Sequence, residues 1–395
     1  MSGHANSADG DVLGRHREVP VIHQLLGILA ASPALVNSGA IDMEDLVLTR
    51  IPTYAEPTPP TVSPYTQRIE EYVRSLGESL GLKETQGGRD RLEAGYGQFV
   101  AWTYPEASFR DLCLCAEWLF FTFILDDLHT LKVYDDPEVW APVHRRLMGI
   151  INTGKDPAPA RERTPFTEAL TNLSIRTRER LSPALHRRLN RHLDLFFQGF
   201  TEESENRFRG TPPGIDSFTR TRRLSVGMEF GFDLVELSQR REVPESIYET
   251  GLFREIVEAA SDVVAWQNDL HSIHLDDMRG DFHNVVIVMQ HADGVTLQEA
   301  IASAVAKVQG RVADFLAAER QLWPFLKSRG VPPRTREDIL KVTAGMRQWT
   351  NGCLHWYGNT TRYTIPTGSD ESDQQHAHLQ EMLPSQDHAL RHSCG

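Results

Sequence analysis

The stretch "LCLCAEWLFFTFIL", residues 112–125, limits what this chain can fold into more than any other. It is apolar at nearly every position, so it lacks the one-sided pattern of a surface helix. Only a membrane or the centre of a helical bundle buries such a segment on all sides. A membrane span needs about 20 apolar residues. This run is shorter, and Glu117 interrupts it. The reading is a helix at the centre of a bundle, with no membrane span.

The rest of the chain supplies the surrounding helices. From Tyr65 onward, apolar residues recur at helical spacing in segments such as "PEVWAPVHRRLMGIINTG" and "PALHRRLNRHLDLFFQGFTEESENRF". The breaks between segments carry Pro, Gly or Asp, as helix ends do. No segment alternates convincingly like a strand, and no internal repeat stands out. The pattern predicts one all-α domain of about ten or more helices, and such a bundle can hold a site in its interior. With 395 residues and 40% hydrophobic content, the chain can bury a large core. "VIHQLLGILAASPALV", 21–36, reads as a short helix behind a polar, Gly-rich start. "IPTYAEPTPPTVSP", 51–64, reads as an extended or turning strap into the folded domain.

Composition excludes several classes. A formal net charge of -13 argues against a nucleic-acid surface. Cys113, Cys115, Cys353 and Cys394 form no CxxC pair and read as reduced thiols of a cytoplasmic protein. The N-terminus has no secretory signal pattern. There is no zinc-site spacing, no hydrolase nucleophile elbow and no phosphate-binding loop. His129 reads as a surface or supporting residue.

The demanding segment is "AWQNDLHSIHLDDMRGDFHNVV", 265–286. Asn268, Ser272 and Asp276 fall near one helix face. They offer an amide oxygen, a hydroxyl and a carboxylate, the ligand type Mg²⁺ prefers. A solvated face has the same pattern. "FFTFILDDLHT" places Asp126 and Asp127 directly after the apolar helix. They mark either the point where that helix meets water or carboxylates with a partner or metal.

Taken together, these segments resemble class I terpene synthases of the microbial type. "NDLHSIHLD" fits that family's second metal motif, "DDLHT" the start of its Asp-rich first motif, and "RGDFHNVV" the continuation of the second. Arg222 in "TRRLSVG" stands 46 residues before Asn268, the offset of the family's pyrophosphate-sensing Arg. "NTTRY" supplies its C-terminal pair, Arg362 and Tyr363. Thr130 stands where the first motif usually has another acid, Leu275 where the second often has Lys, and Asp276 where Glu is more common. The resemblance spans roughly residues 46–366, leaving 1–45 as an N-terminal extension, partly disordered, and 367–395 as a polar tail.

The resemblance implies an α-helical bundle around a central active-site cavity. It implies Mg²⁺-dependent ionisation and cyclisation of a linear isoprenyl diphosphate, farnesyl diphosphate by default, with release of diphosphate. It implies three Mg²⁺ ions when substrate binds, with Mn²⁺ able to substitute. Asp126 would hold two ions; Asn268, Ser272 and Asp276 the third. Asp127 would hydrogen-bond an Arg. Arg222, Arg362 and Tyr363 would donate to the diphosphate. Ser225 and Val226 would lie at a helix break, which Gly227 supports, although Gly227 fits close helix packing equally well. Phe123, Trp349 and Trp356, with Phe99 and Phe232 weaker candidates, would face a carbocation, although any one of them taken alone fits core packing. A homodimer is in keeping with the family. The other readings are a diterpene cyclase acting on geranylgeranyl diphosphate, an isoprenyl chain-elongating transferase, and a noncatalytic helical binding protein.

Overall fold

The 22 residues Phe109–Thr130 form one helix, and every residue from Asp111 to Phe121 is buried. They belong to a computed structural model that describes Tyr54 and residues 60–84, 86–130 and 136–363. The expected helix 21–36, the extension 1–45 and the tail 367–395 lie outside the described residues. Among the described residues there is no strand. In chain order the α-helices are α1 (Thr66–Ser79), α2 (Gln86–Leu92), α3 (Tyr96–Thr103), α4 (Phe109–Thr130), α5 (Pro137–Thr153), α6 (Pro165–Arg180), α7 (Pro183–Arg209), α8 (Ile215–Ser225), α9 (Met228–Gln239), α10 (Glu245–Tyr248), α11 (Gly251–Arg279), α12 (Val285–Asp293), α13 (Leu297–Ser328) and α14 (Pro333–Tyr357). No described helix is long and apolar enough to cross a membrane.

The all-round apolar pattern of α4 is explained by what surrounds it. It packs against α1, α3, α6 and α9. Leu112, Trp118, Phe120, Ile124, Leu125 and Leu128 lie in the core. Each contributes about 1.5–3 kcal/mol relative to leaving it in water. Glu117, the interruption in the run, is buried but paired. Tyr72 of α1 donates to it at 2.5 Å, and the Arg176 guanidinium of α6 grips it. A buried carboxylate without such partners would cost several kcal/mol.

The second long helix, α11, starts at Thr250, whose side chain accepts from the Phe253 N–H. It ends at Gly280, in the left-handed region at φ 62. It packs against α8, α9, α12, α13 and α14. Helix α7 runs beside α8 because Gly199 leaves room. A Cβ there would come within 2.5 Å of the Ser225 backbone nitrogen. The expected break at Ser225–Val226 is present: α8 ends at Ser225, and Gly227 at φ 67 separates it from α9. Close packing also acts at Gly227, where a Cβ would lie 2.9 Å from the Phe196 ring. Both readings of that glycine hold.

The described part of the strap is extended along the bundle. The Ser63 N–H donates to Ala101 O at 2.9 Å, and Gln348 donates to Thr61 O at 3.0 Å. Tyr54 is buried with its ring 4.8 Å from that of Phe315. Helix α3 carries little periodic signal because it is largely buried: Tyr96, Phe99, Val100 and Ala101 are all core residues.

Candidate active site

Three pieces of chain meet at one end of the bundle: the end of α4, the second half of α11, and residues 359–363 after α14. The last piece is pinned first. Thr360 Oγ1 and Trp356 Nε1 both donate to the Ala94 carbonyl, at 2.7 and 3.1 Å. That fixes Arg362 and Tyr363 between the two motif helices.

Arg362 faces α4. Its Nη2 lies 2.9 Å from Asp126 Oδ2 and 2.8 Å from Asp127 Oδ1. Its Nη1 donates to Tyr96 Oη at 2.9 Å, and the guanidinium stands over the Phe123 ring at 4.9 Å. Asp127 also accepts from Arg91 of α2 at 2.7 Å. Burial works against the Asp127 charge, yet Arg362 and Arg91 hold its carboxyl well below the usual carboxylate range. Asp126 has the more exposed side chain of the two and is the one with room for another ligand.

Tyr363 faces α11. Its Oη accepts from Asn268 Nδ2 at 2.8 Å. Its carbonyl accepts from His274 Nε2 at 2.8 Å, so that nitrogen carries the proton. Asn268 Oδ1 accepts from Arg222 Nη2 at 2.8 Å. Arg222 further donates through Nε to Asp269 Oδ1 at 3.0 Å and reaches Ser225 Oγ at 3.4 Å. Burial disfavours the Arg222 charge, but Asp269 and Glu203 more than compensate and raise its pKa. Val226 caps α8 at the break, its N–H on the Arg222 carbonyl at 3.0 Å. A continuous chain of contacts thus runs from Asp126 through Arg362 and Tyr363 to Asn268, Arg222 and Ser225.

Ser272 and Asp276 lie one and two turns beyond Asn268. Ser272 Oγ donates to Asp276 Oδ2 at 2.6 Å, and Asn284 Nδ2 donates to the same oxygen at 2.9 Å. These partners are neutral. Burial, with Asp281 and Asp269 nearby, pushes the Asp276 carboxyl up to about 7. No cluster of three His, Cys, Asp or Glu side chains suited to a metal occurs among the described residues. The donors are one carboxylate with an amide and a hydroxyl oxygen, a hard set that fits Mg²⁺ with substrate oxygens completing the shell.

The named aromatics form one wall beneath Arg362. Phe99 lies 5.5 Å from Phe123, 5.5 Å from Trp349 and 4.8 Å from Trp356, ring centre to ring centre. Phe123 and Trp356 are 5.7 Å apart, and Phe232 meets Trp349 at 6.3 Å. Phe123 is only partly buried; the others are core residues.

Several members gave no signal in the sequence. Tyr96 and Arg91 sit on short helices without periodicity. Asn284 was legible in part: a capping-type residue ahead of "VVIV", it does cap α12 while holding Asp276. His129 is not on the surface. It is 3% exposed, between the Phe200 carbonyl and the Arg207 guanidinium.

An α-helical bundle with an oxygen-bearing face on one helix, an Asp-bearing end on another and Arg donors between them is suited to a metal-dependent enzyme acting on a diphosphate. The comparisons with known proteins agree. Residues 117–314 match the family described as terpene synthase family 2, C-terminal metal binding. The germacrene A synthase of Nostoc punctiforme is 28% identical over 313 residues, 78% of this chain and 93% of that protein. The (+)-T-muurolol synthase of Roseiflexus castenholzii, described as (2E,6E)-farnesyl diphosphate cyclizing, is 25% identical over 311 residues, 78% of this chain and 93% of its own. In fold, an α-eudesmol synthase crystal structure matches at a TM-score of 0.69 with 21% identity, covering 78% of this chain and 98% of that one. The chain belongs to the terpene synthase family, with its all-α class I fold. It is a carbon–oxygen lyase acting on an isoprenyl diphosphate, and its family binds divalent metal.

Proposed function

We propose that this enzyme ionises and cyclises farnesyl diphosphate to a cyclic sesquiterpene with Mg²⁺. The observation that carries the reading is the unbroken path from Asp126 to Arg222 through Arg362, Tyr363 and Asn268. It gathers the donors that a departing diphosphate needs. A relative that covers most of this chain's length is described as cyclising that substrate.

Breaking the allylic C–O bond sends the electron pair to the diphosphate and leaves an allylic cation. In this reading Asp126 on α4, and Asn268, Ser272 and Asp276 on α11, would hold three Mg²⁺ ions, which Mn²⁺ could replace. The bound metal supplies Lewis-acid stabilisation of the leaving group. Arg222, Arg362 and Tyr363 donate to the diphosphate oxygens where charge develops. Asp127, held by Arg91 and Arg362, orients Arg362 toward the substrate. Ser225 and Val226 set the helix break that aims Arg222. Phe123, Phe99, Trp349 and Trp356 exclude water and offer ring faces to the cation, about 0.5–2 kcal/mol each. Cytoplasmic location fits the free thiols Cys113, Cys115 and Cys353. A homodimer belongs to the same proposal, as do the boundaries 46–366 for the catalytic domain.

Incubation with C10, C15, C20 and C25 prenyl diphosphates, with and without EDTA, tests it. The expected result is a cyclic C15 product, formed with Mg²⁺ and lost with EDTA. A C20 product alone would assign a diterpene cyclase, and longer prenyl diphosphates a transferase; either would overturn the proposal.

A further inference from the structure

Beside the diphosphate-facing chain lies a second buried cluster with no role in the account above. At its centre is Arg207, near the end of α7, with a side chain 6% exposed. Its Nη2 lies 2.8 Å from His129 Nδ1. Its Nη1 lies 3.3 Å from Asp281 Oδ2 and 3.4 Å from His283 Nδ1. Glu203, one turn back on α7, stands 3.9 Å from Arg207 and 3.7 Å from His129.

Where these partners sit gives the cluster its meaning. His129 follows Asp126 by three residues, on the last turn of α4. Asp281 and His283 lie in the short connection between Asp276 on α11 and Asn284, which itself holds Asp276. Arg207 therefore touches the end of one motif helix and the loop closing the other, from a third helix. The chemistry also fits on the His129 side. The Phe200 carbonyl and Ser204 Oγ both lie 2.9 Å from Nε2, which makes that nitrogen the donor to Phe200 and leaves the Nδ1 lone pair to the nearer approach of Arg207 Nη2, 2.8 Å against 3.1 Å to Nε2. Burial, with Arg207 alongside, holds His129 neutral, its pKa well below the usual imidazole range. The bridge is thus a cation shared between a neutral acceptor on α4 and an anion, Asp281, after α11.

We propose that Arg207 is a positioning residue that holds the Asp126-bearing helix end and the Asp276-bearing loop at a fixed separation, so that both sides of the metal–diphosphate site are set before ligand arrives. It touches neither ligand itself. The proposal rests on the reading of Asp126 and Asp276 as metal-holding residues. Two bonds of a planar fork fix a distance that a single point charge does not, so lysine replaces Arg207 only in part.

The test is calorimetric titration of the full chain with inorganic pyrophosphate in the presence of Mg²⁺, alongside thermal melts. Arg207→Met is expected to weaken pyrophosphate binding at least tenfold and Arg207→Lys less. Arg254→Met, which removes the bidentate pair with Glu229 and touches neither motif, is expected to lower the melting temperature and leave pyrophosphate affinity unchanged. Asp126→Asn separates the two claims: loss of binding there with native binding in Arg207→Met would overturn the positioning role alone. Native binding in Asp126→Asn would overturn the site reading beneath it. If Arg207→Met does not fold, Asp281→Asn removes one arm of the bridge only. It is expected to weaken binding at least threefold, and unchanged affinity would overturn the proposal.

Discussion

Replacing Asn268 by Leu probes the site at its most connected point. Asn268 makes two hydrogen bonds, one accepted from Arg222 at 2.8 Å and one donated to Tyr363 at 2.8 Å. A bond to a charged group is worth about 1.5–3 kcal/mol and a neutral one about 1 kcal/mol. Leucine keeps most of the volume and packs well in a helix. Arg222 also keeps its pair with Asp269, at 2.8 Å. The loss of stability is therefore about 2.5–4 kcal/mol, a fall of several degrees in melting temperature for a domain of this size. Turnover should fall much further. The substitution removes a proposed metal ligand and releases both Arg222 and Tyr363 from their set positions. Loss of one preorganised donor alone costs roughly 10²–10³ in kcat. The assay pairs gas-chromatographic product measurement with circular-dichroism melts. A folded Asn268→Leu protein that retains turnover within threefold of the parent would refute the reasoning.

Three further outcomes follow from the structure. Removing divalent metal with EDTA should abolish turnover without unfolding the bundle, and added Mg²⁺ should restore it; turnover unaffected by EDTA would contradict the site. His192, buried between Asp233 at 2.7 Å and Glu229 at 2.9 Å, opposes its own desolvation through those two carboxylates, and its pKa is raised to about 9. Its contribution to stability is complete below the unfolded value near 6.5 and is lost as pH rises through about 9. Denaturation curves from pH 6 to 10 should show that slope in the parent and a flatter one in His192→Gln. Gly199→Ala puts a Cβ 2.5 Å from the Ser225 backbone nitrogen. Separating α7 from α8 should cost about 1–3 kcal/mol and lower kcat, since Arg222 and the break move together; a native kcat would argue that the break tolerates displacement.

Much of the fold was legible because its strongest signal was physical. A helix apolar on all sides can only be central, and α4 is. The long periodic helices α7, α11 and α13 carried their own N-caps, Ser182, Thr250 and Thr296. The short helix α3 gave no such signal, because an element buried on most faces loses the contrast on which periodicity depends. At the site, spacing put Asn268, Ser272 and Asp276 on one face without separating a solvated face from a metal face, and the resemblance, supported by Gly227, pointed to the break at Ser225–Val226. The resemblance, not the spacing, singled out Arg222, Arg362 and Tyr363. What brings them together was not readable: Ala94 pins the segment after α14, Tyr96 and Arg91 orient Arg362 and Asp127, and Arg207 joins the two motif ends. Those contacts join residues far apart in the chain and leave no local pattern.

The central claim is that Asp126 and the Asn268–Ser272–Asp276 face form the two sides of one metal–diphosphate site. Anomalous diffraction from crystals soaked with Mn²⁺ and pyrophosphate tests it most directly. The account predicts manganese peaks against Asp126 and within the Asn268–Ser272–Asp276 face, with pyrophosphate between them on Arg222, Arg362 and Tyr363. Manganese bound only elsewhere, or pyrophosphate away from those three donors, would contradict it.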